Sequence, residues 1–147
     1  MSIKIIIEKS EINKIIKDKA NGRKIILCHG AFDLVHPGHI NHFQEAKSHG
    51  DILVVTITAD KYIKKNIHSP FFSQEMRKNF LKNIKIIDHV FIVNDETAIP
   101  AIEKLKPNIY CKGIEYKKKD NIGNLNKEKK ILFKNKDTLK FLGKNTQ

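Results

Sequence analysis

The chain has 147 residues, 40% of them apolar and 30% charged. That balance is too apolar for a disordered tail and too polar for a membrane protein, and the length fills one domain rather than two. Twenty-eight basic against 16 acidic residues leave a net charge of +12, which favours a phosphate-bearing partner such as a nucleotide, a nucleic acid or an anionic lipid.

The opening residues carry too short an apolar run for a signal peptide. No stretch approaches the ~18 apolar residues of a membrane span, so a soluble, cytoplasmic protein is expected. Ile12, Ile15 and Ile16 within Glu11–Lys19 predict a short amphipathic helix closed by Asn21-Gly22, so that residues 1–21 form an N-terminal helical extension. Lys24–His29 is a continuous apolar run, the pattern of a strand covered on both faces. A glycine-bearing loop leads into a predicted helix over Pro37–Ser48, with Ile40, Phe43 and Ala46 on one side. Ile52–Thr58 predicts a second buried strand. Ser73–Asn83 predicts a helix capped by Ser73, with Met76, Phe80 and Leu81 inward. Val90–Val93, Ile99–Lys106 and Asn108–Cys111 then read as strand, helix and strand. Cys28 and Cys111, inside apolar runs, suit small buried residues of a reduced protein rather than a disulfide framework.

Strands separated by helices specify right-handed crossovers, hence an α/β fold: a Rossmann-like, doubly wound parallel sheet in a single domain. Ligands on such sheets sit beyond the carboxyl ends of the strands, here after His29, Thr58, Val93 and Cys111. The last segment differs. Residues 104–147 hold 13 lysines against 4 acidic residues, a net +9, and 117–147 reads as a basic C-terminal segment with one helix and one edge strand.

Chemistry concentrates in His29-Gly30-Ala31-Phe32-Asp33-Leu34-Val35-His36-Pro37-Gly38-His39, which runs from the first buried strand into the next helix. Gly30 lets the backbone approach a ligand without a Cβ in the way, and Pro37 suits the first turn of a helix. The helix N-terminus then offers N–H groups and a positive dipole end to a phosphate. His36 and His39, three apart, can face that same mouth. His42 continues the spacing, but no thiolate or carboxylate set completes a zinc site, so no protein-held metal is expected.

This stretch resembles the HxGH signature of the nucleotidylyltransferase superfamily, in its cytidylyltransferase-like branch: His36-Pro37-Gly38-His39 preceded by Gly30-x-Phe32-Asp33. The likeness is nearest to the adenylyltransferase domain of bifunctional heptose-phosphate kinase/adenylyltransferases, with glycerol-3-phosphate cytidylyltransferases second. It covers about residues 22–116, the nucleotidyltransferase core. Thr58-x-Asp60, Glu75-x-Arg77, Ile87-Asp88-x-Val90 and Lys112-Gly113-x-Glu115-Tyr116 follow in order. The family usually has Asp where this chain has Glu115.

The resemblance implies transfer of a nucleoside monophosphate from CTP or ATP to a sugar- or polyol-phosphate with release of pyrophosphate, for surface-polysaccharide precursors. It implies catalytic roles for His36 and His39, and nucleotide contacts at Gly30, Ala31, Phe32, Lys112, Gly113 and Glu115. Lys65, Arg77 and Lys85 would meet phosphate or acceptor. Mg²⁺ would arrive with the triphosphate, and a homodimer is implied. Relatives grip the triphosphate with a late Ser/Thr-rich motif, which should begin about where this chain reads Asn145-Thr146-Gln147. The expectation is therefore a piece of a longer protein, one that could carry a fused kinase domain. The alternative is a non-catalytic nucleotide- or nucleic-acid-binding module of the same fold. Among the remaining acids, Asp33 either orients a histidine or closes its turn, Asp60 caps a turn, and Asp88 is a structural strand-entry residue. The other reading of Arg77 is a surface ion pair with Glu75 or Asp88.

Overall fold

The computed structural model of the chain describes residues 4–63, 70–113, 128–129 and 138–142. The continuous apolar runs become the centre of a six-stranded sheet: β1 (Ile5–Ile6), β2 (Ile25–Gly30), β3 (Ile52–Thr58), β4 (His89–Val93), β5 (Ile109–Gly113) and β6 (Thr138–Leu142), in the order β1-β4-β3-β2-β5-β6. β2, β3, β4, β5 and β6 run parallel, and β1 closes one edge antiparallel to β4. All seven residues of β3 are buried, as its unbroken Ile-Leu-Val-Val-Thr-Ile-Thr composition requires of a strand with helices on both faces.

Helices α1 (Lys9–Ala20), α2 (Pro37–Lys47), α3 (Gln74–Lys82) and α4 (Ile99–Leu105) cover the sheet. Alternation along each strand divides the core in two. Ile25, Leu27, Val54, Phe91 and Tyr110 pack with Ile12 and Ile15 of α1 and Ala101, Ile102 and Leu105 of α4. Ile26, Cys28, Val55, Ile57 and Cys111 pack with Phe43 and Ala46 of α2 and Leu81 of α3 on the other face. The sheet is thus wound on both sides, as expected. Cys28 and Cys111 are free, buried and opposite each other across β2 and β5.

The chain steps outward from β2 to β3 to β4, then crosses back through α4 to place β5 on the other side of β2. The direction of winding therefore reverses at β2. A crevice opens there at the carboxyl ends, which is where such sheets bind ligands. At the opposite ends, side chains fix the register. Asn108 accepts from Ile25 N–H through Oδ1 at 2.8 Å, and its backbone N–H donates to Ile25 O at 2.9 Å. Asp88 accepts from Leu53 N–H at 2.8 Å and pairs with Lys47, so it is the strand-entry residue that the sequence suggests.

Two helices bury only part of the face expected. In α1, Ile12 and Ile15 are buried but Ile16 stands 55% exposed. In α3, Ser73 does cap the helix, accepting from Met76 N–H at 3.2 Å, yet Met76 and Phe80 are each 56% exposed while Arg77 and Leu81 are buried. The apolar periodicity of α3 is overridden because carbonyls and a carboxylate wait inside for a guanidinium. β1, too short for a periodic signal, arises only by pairing with β4.

The two neighbouring isoleucines of α1 should therefore behave differently. Ile15→Ala, opening a cavity under a fully buried side chain, is expected to cost about 2–5 kcal/mol, and Ile16→Ala to stay within about 0.5 kcal/mol. Urea unfolding of the two variants measures both.

Candidate active site

The reversal of winding puts the loop after β2 at the centre of the sheet's carboxyl edge, and this loop carries the histidine motif. Phe32 has a left-handed backbone, φ +48°, which turns the chain sharply back over β2. Its ring then meets His39 edge-on at 5.8 Å and Phe43 at 5.2 Å. A Cβ on Gly30 would stand only 3.0 Å from that ring, so glycine is what lets the ring fold down.

His36 is the N-cap of α2 and Pro37 follows within the first turn, where a missing N–H leaves nothing unsatisfied. The cap is reciprocal. His36 Nδ1 accepts from Gly38 N–H at 3.0 Å, and His39 Nδ1 accepts from His36 N–H at 3.1 Å. With Nδ1 an acceptor in both rings, each neutral imidazole carries its proton on Nε2. The ring centroids lie 4.1 Å apart, with His36 exposed and His39 half-buried. A Cβ on Gly38 would lie 2.7 Å from His36 Cε1, so only glycine lets the imidazole close over the backbone it caps. The result is two N–H donors and a helix N-terminus gathered at one point, an arrangement suited to an anion with several oxygens.

Arg77 supports this loop from below. It is 1% exposed and donates Nη1–H to Ala31 O and Thr58 O at 2.8 Å each, Nε–H to Phe72 O at 3.0 Å, and Nη2–H to Asp60 Oδ1 at 2.7 Å. The ion pair is thus with Asp60, not with Glu75 or Asp88. The guanidinium faces the protein's own carbonyls and not the open mouth. Asp33 neither orients a histidine nor closes its own turn. Its carboxylate accepts from Phe71 N–H at 2.7 Å and Phe72 N–H at 2.9 Å, tying the motif loop to the start of α3.

Lys85 is not brought to the site. It lies exposed in the turn between α3 and β4, at the amino end of β4, and in a parallel sheet that is the edge opposite the histidines. Lys65 and Glu115 lie outside the described residues. Gly113 ends β5, so it does stand at the carboxyl edge. Lys112 precedes it, and its ammonium sits 3.3 Å from Glu128 Oε1 and 5.5 Å from the Tyr110 ring centre.

Glu128 was not legible in sequence. It is a lone acid among lysines, yet it is 2% exposed and accepts from Ala98 N–H at 2.7 Å and from the Tyr110 hydroxyl at 3.1 Å. It therefore holds the residue before α4 and anchors Lys112 at once. Among the described residues no group of three or more His, Cys, Asp or Glu side chains could hold a metal ion. No helix there is long and apolar enough to cross a membrane.

His29, at the end of β2, points to the α1/α4 side. Its Nδ1 lies 2.8 Å from Thr56 Oγ1 and its Nε2 3.3 Å from Thr58 Oγ1. Burial, reinforced by the Lys112 charge and only partly opposed by Asp95, pushes its pKa down to about 3. Burial works against ionisation of Asp95 as well, but donors from Thr97 and Lys4 outweigh it and hold that carboxyl below its ordinary value.

The family described as cytidylyltransferase-like matches residues 27–141. Bifunctional protein HldE of Aliarcobacter butzleri is 35% identical over 116 residues, 77% of this chain and 24% of its own length. The bifunctional protein HldE of Helicobacter pylori J99 is 38% identical over 115 residues, 76% of this chain and 25% of its own. The chain thus spans about a quarter of the length of the curated relatives it matches. Among solved structures, the lipopolysaccharide core biosynthesis protein from Thermoplasma volcanium superposes with a TM-score of 0.67 at 26% identity, covering 84% of this chain and 100% of that one.

Removing the guanidinium leaves its acceptors buried and Asp60 unpaired, so Arg77→Met is expected to cost about 3–5 kcal/mol in urea unfolding. His29 gives a pH signature. Its ordinary pKa is 6.5 and its folded value about 3, so the unfolded chain takes up the proton first. Stability is whole above about pH 7 and falls as the pH drops through 6.5 toward 3, by at most about 1.4 kcal/mol per unit. Urea midpoints across that range should show a shallower decline in His29→Gln than in the wild-type chain.

Proposed function

The chain belongs to the cytidylyltransferase-like family, and on that footing we propose that it is a nucleotidyltransferase that moves a nucleoside monophosphate from CTP or ATP to a sugar- or polyol-phosphate. The observation that carries the reading is the imidazole pair on the N-terminus of α2. The rings are 4.1 Å apart, and each has Nδ1 engaged by a backbone N–H.

In this reading an oxygen of the acceptor phosphate attacks the α-phosphorus of the triphosphate. The bond from that phosphorus to the bridging oxygen breaks, and pyrophosphate leaves. The acceptor itself is the nucleophile, so the protein's share is positioning and charge neutralisation. His36 and His39 donate from Nε2 to phosphoryl oxygens as their charge grows, and the α2 dipole adds to that field. The backbone of Gly30, Ala31 and Phe32 lines the nucleotide. Lys112, Gly113 and Glu115 border the nucleoside, and Lys65 meets phosphate. Arg77 contributes by fixing the Ala31 and Thr58 carbonyls in place.

Magnesium fits as an ion carried by the triphosphate. Asp33 and Asp60, the carboxylates beside the motif, are already engaged by backbone N–H groups and by Arg77. Phosphate oxygens would then hold it, and it would supply positive charge that offsets theirs. The lipopolysaccharide core biosynthesis protein that shares the fold supports a product destined for surface polysaccharide. We place the reaction in the cytoplasm and take a homodimer as the working unit. A kinase domain joined to this one in a longer protein also belongs to this reading, supported by the bifunctional relatives.

The test is pyrophosphate release with four nucleoside triphosphates against a panel of sugar- and polyol-phosphates, with Mg²⁺ present. Release is expected with CTP or ATP only when an acceptor phosphate is supplied. His36→Ala and His39→Ala should each lower kcat by about a hundredfold to a thousandfold. A wild-type rate in His39→Ala would show that the imidazoles do not serve the transfer.

A further inference from the structure

We propose that Glu128 is a positioning residue of the nucleotide site: it holds the Lys112 ammonium at the β5 end of the crevice and cancels its charge, so that this end receives the uncharged nucleoside. The inference rests on the nucleotide reading and deepens it. Tyr110 packs with α1 and α4, and alternation along β5 puts the Lys112 side chain on that same side of the sheet, across from α2. There its ammonium lies 3.3 Å from Glu128 Oε1 and 5.5 Å from the Tyr110 ring centre. The side chains of Lys112 and Glu128 are only 11% and 2% exposed, and Gly113, the next residue, ends the strand. The ammonium is thus nearly enclosed, one residue short of the carboxyl edge.

The other bonds of Glu128 do not account for its charge. Ala98 N–H donates to Oε2 at 2.7 Å and the Tyr110 hydroxyl to Oε1 at 3.1 Å. A neutral amide would serve both, its oxygen accepting from Ala98 and its NH₂ donating to the Tyr110 oxygen. Burying a carboxylate is costly, and a buried ion pair adds little stability over apolar side chains of the same volume. What the carboxylate alone supplies is a fixed place and a counter-charge for Lys112.

The carboxyl edge then has two electrostatic ends. At α2 the imidazole pair and the helix N-terminus gather donors suited to phosphate oxygens. Toward β5 the charges are matched. Lys112 faces Glu128, Asp95 faces Lys4 at 3.6 Å, and burial together with the Lys112 charge keeps His29 neutral. A triphosphate is drawn to the first end, while a ribose and base, which carry no charge, meet no excess of either sign at the second. Without Glu128 the ammonium would lose its fixed place and add a positive charge to that end, so the nucleotide would be held in less definite register.

Calorimetric titration of the full chain with CTP and ATP, and with inorganic pyrophosphate, tests this with Mg²⁺ present throughout. Glu128→Gln should weaken whichever triphosphate the wild type binds by about tenfold and leave pyrophosphate bound no more weakly than before. Lys112→Met should do the same. The Lys112→Met/Glu128→Gln double variant should be no worse than either, because both substitutions remove one interaction. It buries neither charge, so it stands in for a single variant that fails to fold. Tyr110→Phe takes another bond from the same carboxylate but spares the ion pair, and it should bind triphosphate within about twofold of the wild type. Triphosphate bound by Glu128→Gln as tightly as by the wild type overturns the proposal. So does a matching loss of pyrophosphate binding, a double variant in which the two losses multiply, or a Tyr110→Phe as impaired as Glu128→Gln, each of which marks a merely structural role. A wild-type chain that binds no nucleotide overturns the nucleotide reading and this role together. Nucleotide binding without pyrophosphate release removes the transfer reading alone, and the same titrations still decide the role of Glu128.

Discussion

One buried guanidinium ties together segments that the sheet alone leaves independent. The carboxyl ends of parallel strands open into separate loops, and nothing in the ladder of hydrogen bonds relates one loop to the next. Arg77 supplies that relation. It reaches from α3 to the motif loop at Ala31, to the last residue of β3 at Thr58, to the turn at Asp60 and to Phe72 before its own helix. A charge this deep is costly to bury, and it is tolerated because carbonyl dipoles and one carboxylate surround it. Asp33, bonding Phe71 and Phe72 from the opposite side, makes the connection mutual.

The histidine pair depends on that frame. Phe32 can hold a left-handed turn and lean on His39 only if Ala31 beside it is fixed. The reciprocal cap then sets the tautomer of both rings through backbone geometry. A ring proton beside the helix N-terminus is thus placed by helix capping, a device usually counted as structural. Strand ends, loop clamp, aromatic prop and cap form one chain of supports, each holding the next.

Much of this was legible from the sequence. Runs such as Ile52–Thr58 contain no polar face, so they can only be doubly covered strands, and the alternation with helices leaves few topologies. The motif loop and the start of α2 followed from Pro37 and Gly38. The relation of the loops did not. Met76 and Phe80 have the right period to face inward on α3, and only tertiary acceptors reveal that Arg77 takes the buried place. Lys85 lies near Arg77 in sequence but past the end of α3, so the helix carries it to the wrong edge. Nothing local marks Phe32 as left-handed, and Glu128, alone in a lysine-rich stretch, gives no sign that it reaches Ala98, Tyr110 and Lys112.

Glu128 also bears on the order in which the molecule is assembled. The strands β2 to β5 and the helices between them lie within residues 25–113, so the sheet can form while the later chain is still being made. The N–H of Ala98 just before α4, the Tyr110 hydroxyl and the Lys112 ammonium then wait for a carboxylate 30, 18 and 16 residues further along. Those contacts cannot close before residue 128 has been made. Emergence from the ribosome would therefore separate two events: a scaffold that is already compact, and a wall around Lys112 completed only after the basic segment has begun to appear.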